Sequence, residues 1–148
     1  MQKYEKNLTF AAKTKAKMKN LVQIATRYPL SLVCIVLIWL LCLVIQMPET
    51  PLDNVAFIDK WTHFVMYGGT CSVIWWEYLR CHHQLNATRL LVCAFIAPIA
   101  MSGLIEILQA TCTETRQGEW LDFAANSIGV LLGNGIGLLM NAIYFKRS

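Results

Sequence analysis

Three ionisable side chains, Asp59, Lys60 and His63, stand at the start of an apolar stretch that continues to Tyr67. Asp59, His63 and Tyr67 follow one another at i, i+4 and i+8, so they share one face of a helix, with Lys60 beside them. A histidine next to a carboxylate can shuttle protons, because the ordinary pKa of a histidine, about 6.5, lies near neutral pH. The alternative is that His63 only donates a hydrogen bond to a neighbouring helix.

Two later stretches supply the other candidate residues. Glu106 is costly to bury in an apolar run unless it is paired, and Arg116, Lys60 or His63 are the expected partners. A buried carboxyl can instead act as a general acid or base, while a purely structural ion pair is the alternative. The candidates for proton transfer are His63, Glu106 and Asp122, and those for binding are Asp59, Lys60, Tyr67, Gln109, Arg116, Glu119 and Asn126.

The planar guanidinium of Arg116 suits a phosphate or carboxylate ligand. The alternative is a salt bridge within its own loop, with Glu119 or Asp122. Asp122 or Asn126 is expected to cap the helix that follows, which is a common use of these residue types.

The composition is that of an integral membrane protein. Of the 148 residues 56% are hydrophobic and only 15% are charged, with a mean hydropathy of +0.45, whereas about a quarter of a soluble domain is charged. The predicted fold is all-α, a four-helix transmembrane bundle with spans at about 30–47, 59–79, 90–112 and 122–145. Pro98 predicts a kink in the third helix, and Gly129, Gly133 and Gly137 predict close helix packing in the fourth.

The basic residues predict the orientation of the bundle. Eleven of the thirteen Lys and Arg residues lie in the N-terminal segment, the loop after the second helix and the C-terminus, and only Lys60 and Arg116 lie on the other side. The positive-inside rule therefore places both termini in the cytoplasm. The candidate residues for proton transfer and binding then lie at the outer face of the membrane.

Residues 1–29 form a basic cytoplasmic segment before the transmembrane domain of residues 30–148. Apolar residues recur there at helical spacing, so the segment is either an amphipathic helix on anionic lipid or a solvated basic tail. The six cysteines lack the spacing of a disulfide framework or a zinc site. Neither a metal, nor a cofactor, nor nucleic acid is an expected partner; the lipid bilayer is.

The ordered pattern of these residues resembles the VanZ-like family. It comprises Asp59-Lys60-x-x-His63-Phe64-x-x-Tyr67, then Glu106-x-x-Gln109, then Arg116-x-x-Glu119-x-x-Asp122-x-x-x-Asn126 with Gly129 and Gly133. The resemblance covers roughly residues 55–137 and leaves out the basic segment and the first span. It implies a small multi-pass protein of the bacterial cytoplasmic membrane, in a family whose namesake is linked to low-level teicoplanin resistance.

Three functions are compatible with these observations. The first is an enzyme or binding protein whose outward-facing pocket takes an anionic envelope lipid or a lipid-linked wall precursor. The second is a non-catalytic scaffold or accessory factor whose polar cluster only holds the bundle together. A transporter is the weakest of the three, because the charges stop near one side of the bundle.

Overall fold

The predicted all-α class is confirmed by the structure, a computed structural model that describes residues 2–44, 58–82, 84–112 and 119–146, with side chains described from residue 14 to residue 144. Almost all of these residues are helical, and the described ranges contain no strand. The elements are α1 (Gln2–Arg27), α2 (Pro29–Trp39) with a π-helical end (Leu40–Val44), α3 (Ile58–Cys81), α4 (Ala87–Leu90), a π-helical segment (Leu91–Ile96), α5 (Ala97–Cys112) and α6 (Trp120–Lys146).

Two stretches of the described chain, Ala87–Cys112 and Trp120–Tyr144, are long and apolar enough to cross a membrane. A third is added if Thr14–Arg27 and Pro29–Val44, which meet at 93°, form one bent span. Helix α3, predicted as a span, does not belong to this set, because polar and aromatic residues occupy many of its positions. Several of its polar side chains, among them His63 and Glu77, are buried in the fold.

Helix α3 lies at the centre of the fold and packs most extensively on α6. The glycine ladder of α6 makes this contact possible: a Cβ on Gly129 would collide with the carbonyl oxygen of Phe64, and one on Gly133 would collide with that of Gly68. Gly137 lies directly against the ring of Trp75. The predicted close packing is confirmed, and α3 is the helix that the ladder receives.

Pro98 is accommodated by the π-helical segment that precedes it. Proline has no N–H, so the carbonyl of Ala94, four residues earlier, lacks its helical partner. The side chain of Asn134 on α6 donates to that carbonyl at 2.7 Å and also accepts from the indole Nε1 of Trp75 at 2.8 Å. The side-chain amide of Asn134 thereby connects α6 to α3 and to the π-helical segment before α5. The sequence analysis did not predict this role.

Replacing Asn134 with leucine should lower the free energy of unfolding by about 2 kcal/mol, because the Ala94 carbonyl and the Trp75 N–H both lose a buried partner. Thermal unfolding of the purified protein in detergent measures this loss. Asn141→Leu, the same change on the same helix, is the control, since the Oδ1 of Asn141 has no hydrogen bond to a described residue. An equal loss in both variants would contradict the bridging role of Asn134.

The buried carboxylate of Glu77 caps the start of α2. It accepts from the backbone N–H groups of Leu30 and Ser31 at 3.0 Å each, and from the hydroxyl of Ser31 at 2.6 Å. Free N–H groups at a helix start attract negative charge. Pro29 needs no such partner, because it has no N–H. Glu77, another residue that sequence reasoning missed, thus fixes α2 against the end of α3.

Candidate functional site

The starts of α3 and α6 are joined by Lys60. Its ammonium group lies 2.6 Å from Oε2 of Glu119 and 3.1 Å from Oδ1 of Asp122. Both carboxylates stand at the beginning of α6, where the free N–H groups of the helix favour negative charge. Residues 59 apart in the chain therefore meet at one end of the bundle.

The side chain of His63 lies beside an acid of α6, Asp122, and not beside Asp59 on its own helix. Its Nε2 lies 3.7 Å from Oδ2 of Asp122, and the side chain is largely buried. Asp59, the partner suggested by the i, i+4 spacing, is exposed and has no ion-pair partner among the described residues. The acid beside His63 therefore lies on α6 and not on α3, where the i, i+4 spacing had placed it. Residue spacing shows which side chains share a helix face, but not which neighbouring helix that face contacts.

The predicted capping role of Asp122 or Asn126 is wrong. Helix α6 begins at Trp120, and the carbonyl of Glu119 accepts from the N–H groups of Asp122 and Phe123. Glu119 therefore precedes the helix, and Asp122 lies in its first turn with its carboxylate directed at Lys60.

Glu106 holds the start of α6 through the backbone. Its Oε2 accepts from the N–H of Glu119 at 3.0 Å, across the connection between α5 and α6. Its Oε1 is buried and has no hydrogen bond to a described residue. Neither Lys60 nor His63 forms an ion pair with Glu106, and Arg116, the third expected partner, lies outside the described residues. One carboxylate oxygen of Glu106 therefore accepts a hydrogen bond, and the other has no hydrogen-bond partner among the described residues.

Below Glu106, the interior is polar over one further turn of α5. Asn126 donates its amide to the hydroxyl of Ser102 at 2.8 Å, and both side chains are buried. The amide oxygen of Asn126 is unpaired among the described residues, and the buried Tyr67 hydroxyl lies near Ser102 without a hydrogen bond of good geometry. Ser102 was missed by sequence reasoning, although it precedes Glu106 by four residues on the same face of α5.

Gln109 lies on the same polar face of α5 as Glu106, but its side chain contacts the end of α2. Its amide donates to the backbone carbonyl of Cys42 at 3.0 Å. Cys42 lies in the π-helical end of α2, where the carbonyls depart from the regular helical pattern. Gln109 therefore ties α5 to α2, and its predicted binding role stays a prediction.

No family model matches the chain, and neither a curated protein nor a solved structure matches it. Function is therefore inferred from the geometry.

The site combines an acidic rim with a buried floor of hydrogen-bond acceptors. At the rim the described charges are one cation, Lys60, and the carboxylates of Asp59, Glu119 and Asp122. In the floor, Oε1 of Glu106 and Oδ1 of Asn126 have unused lone pairs. Buried acceptors of this kind are costly unless a donor reaches them. The arrangement suits a ligand that brings hydroxyl or N–H donors into the floor.

Proposed function

We propose that this chain is a VanZ-like membrane protein of the bacterial cell envelope whose pocket binds the headgroup of an anionic lipid or a lipid-linked wall precursor. In this proposal α2, α3, the α4–α5 stretch and α6 cross the membrane as a four-helix bundle, with both termini in the cytoplasm. The positive-inside count supports that orientation. The packing of α3 against α6 along the glycine ladder supports the bundle.

The observation that carries the binding proposal is the pair of unpaired buried acceptors. Glu106 and Asn126 each have one side-chain oxygen without a hydrogen-bond partner among the described residues. The buried hydroxyl of Tyr67, on the facing helix, also makes no hydrogen bond of good geometry. A structural cluster gains nothing from open acceptors, whereas a binding site uses them once a ligand arrives. The headgroup we propose therefore carries hydroxyl donors as well as negative charge, as phosphatidylglycerol and the sugars of wall precursors do.

The phosphate of such a headgroup would be met by Lys60. Its closest partner, Glu119, has a side chain that is 51% exposed, so that ion pair is screened by water and costs little to exchange. Asp122, only 13% exposed, would keep the ammonium in place during the exchange. In the proposed orientation, Arg116 supplies a second cation on the same side of the membrane.

A role in teicoplanin resistance belongs to the same proposal, through the resemblance of residues 59–67, 106–109 and 116–133 to the VanZ-like pattern. Expression in a susceptible bacterium, with the minimal inhibitory concentration as the measurement, tests it. His63 and Asp122 are the residues we propose for proton transfer if the headgroup is processed as well as bound.

Phosphatidylglycerol should raise the unfolding temperature of the purified, delipidated protein by about 5 °C or more, whereas phosphatidylmethanol should raise it much less. The two lipids carry the same charge, but only the first has hydroxyl donors for the open acceptors. Thermal unfolding in detergent, followed by tryptophan fluorescence, measures both shifts.

Tyr67→Phe is the variant for this measurement. The hydroxyl of Tyr67 makes no hydrogen bond of good geometry, so its removal should leave the lipid-free unfolding temperature nearly unchanged while reducing the phosphatidylglycerol shift. Equal shifts with the two lipids would show that only charge is recognised. No shift with either would remove the binding proposal.

The second candidate function is the non-catalytic scaffold. It is favoured by the number of polar groups already engaged across the fold: Lys60 with Glu119, Glu106 with the backbone N–H just before α6, and Gln109 with α2. Under this alternative, every substitution in the cluster lowers protein abundance and activity together, and no headgroup is preferred.

A further inference from the structure

The right-angled junction between α1 and α2 sets the direction of the basic N-terminal helix. Thr14–Arg27 and Pro29–Val44 meet at 93°, with Tyr28 between them in a non-helical conformation. A helix perpendicular to one that enters the membrane lies parallel to the membrane surface.

Contacts from the end of α3 hold this junction. Glu77 caps the first N–H groups of α2, and the thiol of Cys81 lies 3.6 Å from the carbonyl oxygen of Arg27. The hydroxyl of Tyr28 lies 3.4 Å from Nδ1 of His82, and the two rings are nearly parallel. These contacts fix the turn from both sides, so α1 leaves the bundle in a defined direction.

Helix α1 carries an apolar face that nothing in the described chain covers. Met18, Leu21 and Val22 are 60%, 57% and 62% exposed, and their i, i+3, i+4 spacing places them side by side. Lys15 and Lys17 lie at the two edges of this face on the helical wheel, and Lys19 lies further round. Lysines in these positions extend along an apolar surface and place their ammonium groups among headgroups.

We propose that α1 is a lipid-binding helix that lies on the anionic leaflet at the α1–α2 junction, with Met18, Leu21 and Val22 in the acyl boundary and its lysines on phosphate groups. Charge complementarity selects this occupant: residues 14–27, the part of α1 whose side chains are described, contain Lys15, Lys17, Lys19 and Arg27 and no acidic residue. A basic helix of this kind binds more strongly as the anionic lipid content rises. The proposal does not depend on a ligand in the pocket at the other end of α3.

Hydrogen exchange of the full-length protein in nanodiscs, at one copy per disc, tests this proposal. The amides of residues 14–27 should exchange about ten-fold more slowly in discs that contain phosphatidylglycerol than in discs of phosphatidylcholine alone. Leu21→Glu, on the apolar face, should remove most of this protection. Gln23→Glu is the matched control, because it adds the same charge to the same helix on the polar face.

Exchange in α3 and α6 reports whether the variants remain folded and should be unchanged in both. Removal of the lysine charges by Lys15→Gln together with Lys17→Gln should reduce the difference between the two disc compositions. Equal exchange in the two compositions overturns the proposal, and so does equal loss of protection in Leu21→Glu and Gln23→Glu. Protection that appears only in discs with two copies assigns the apolar face to a second chain and also overturns it.

Discussion

Gly129→Leu should prevent the protein from accumulating in a folded form. A Cβ at this position would collide with the carbonyl oxygen of Phe64 and lie 3.1 Å from the backbone nitrogen of Gly68. Both are main-chain atoms in the middle of α3, so no side-chain rotation can relieve the clash. We expect a loss of at least about 4 kcal/mol in the free energy of unfolding, the upper range for a single substitution.

The effect should spread to the polar site, because α3 and α6 carry opposite sides of it. Lys60 reaches Glu119 and Asp122 only while the glycine ladder holds the two helices in close contact. Membrane abundance and the elution profile of the detergent-extracted protein in size-exclusion chromatography measure the outcome. A folded Gly129→Leu protein that still binds phosphatidylglycerol would contradict the close approach of these helices.

Gly135→Leu is the matched control for this prediction. Gly135 lies on the same helix, and nothing in the described structure stands within 4 Å of a Cβ built there. The added side chain should face outward, where an apolar group is favourable in lipid, and leucine also favours the helix over glycine by nearly 1 kcal/mol. Its abundance and unfolding temperature should match or exceed those of the unsubstituted protein.

Glu106→Gln should remove the phosphatidylglycerol response and any effect on teicoplanin susceptibility while the protein stays folded. The amide oxygen can still accept from the backbone N–H of Glu119, as Oε2 of Glu106 does at 3.0 Å, so the start of α6 keeps its cap. The amide nitrogen then replaces the open Oε1 and presents donors where the ligand needs an acceptor. We expect at least a ten-fold loss in affinity, equivalent to about 1.4 kcal/mol.

Two further variants separate binding from folding at this position. Glu106→Ala removes both carboxylate oxygens and should also destabilise the protein by about 1 to 2 kcal/mol through the lost cap. Glu119→Gln changes another acid of the same cluster but leaves the floor intact, so its affinity should stay within about two-fold, in keeping with the small worth of an exposed ion pair. If Glu106→Gln instead loses stability as much as Glu106→Ala does, Glu106 is a structural residue and the scaffold function is favoured.

Several features of the fold were predictable because they depend on short-range spacing. The four-residue interval of Gly129, Gly133 and Gly137 predicts a smooth face on one helix, and that face receives α3. The interval between Glu106 and Gln109 predicts one polar face on α5, and both side chains are buried there. The all-α class follows from long apolar runs without strand periodicity.

Other features were not predictable, because they depend on what lies across a helix interface. Asn134 and Glu77 each satisfy backbone groups of another helix, and neither stands in a recognisable local pattern. Their signals were indirect: Pro98 frees a carbonyl that some neighbour must satisfy, and a helix that starts at Pro29 leaves N–H groups open. Only the relative placement of helices says which side chain reaches them.

The site shows the same division. Helical spacing was enough to predict which residues share a face: His63 with Tyr67 on α3, and Glu106 with Gln109 on α5. Helix packing set their partners: His63 lies beside Asp122 and not Asp59, and Glu106 accepts from the backbone N–H of Glu119. The physical reason is that helical periodicity sets angular position within one helix, whereas rotation and depth between helices are set by packing, here by the contact of α6 glycines with the α3 backbone.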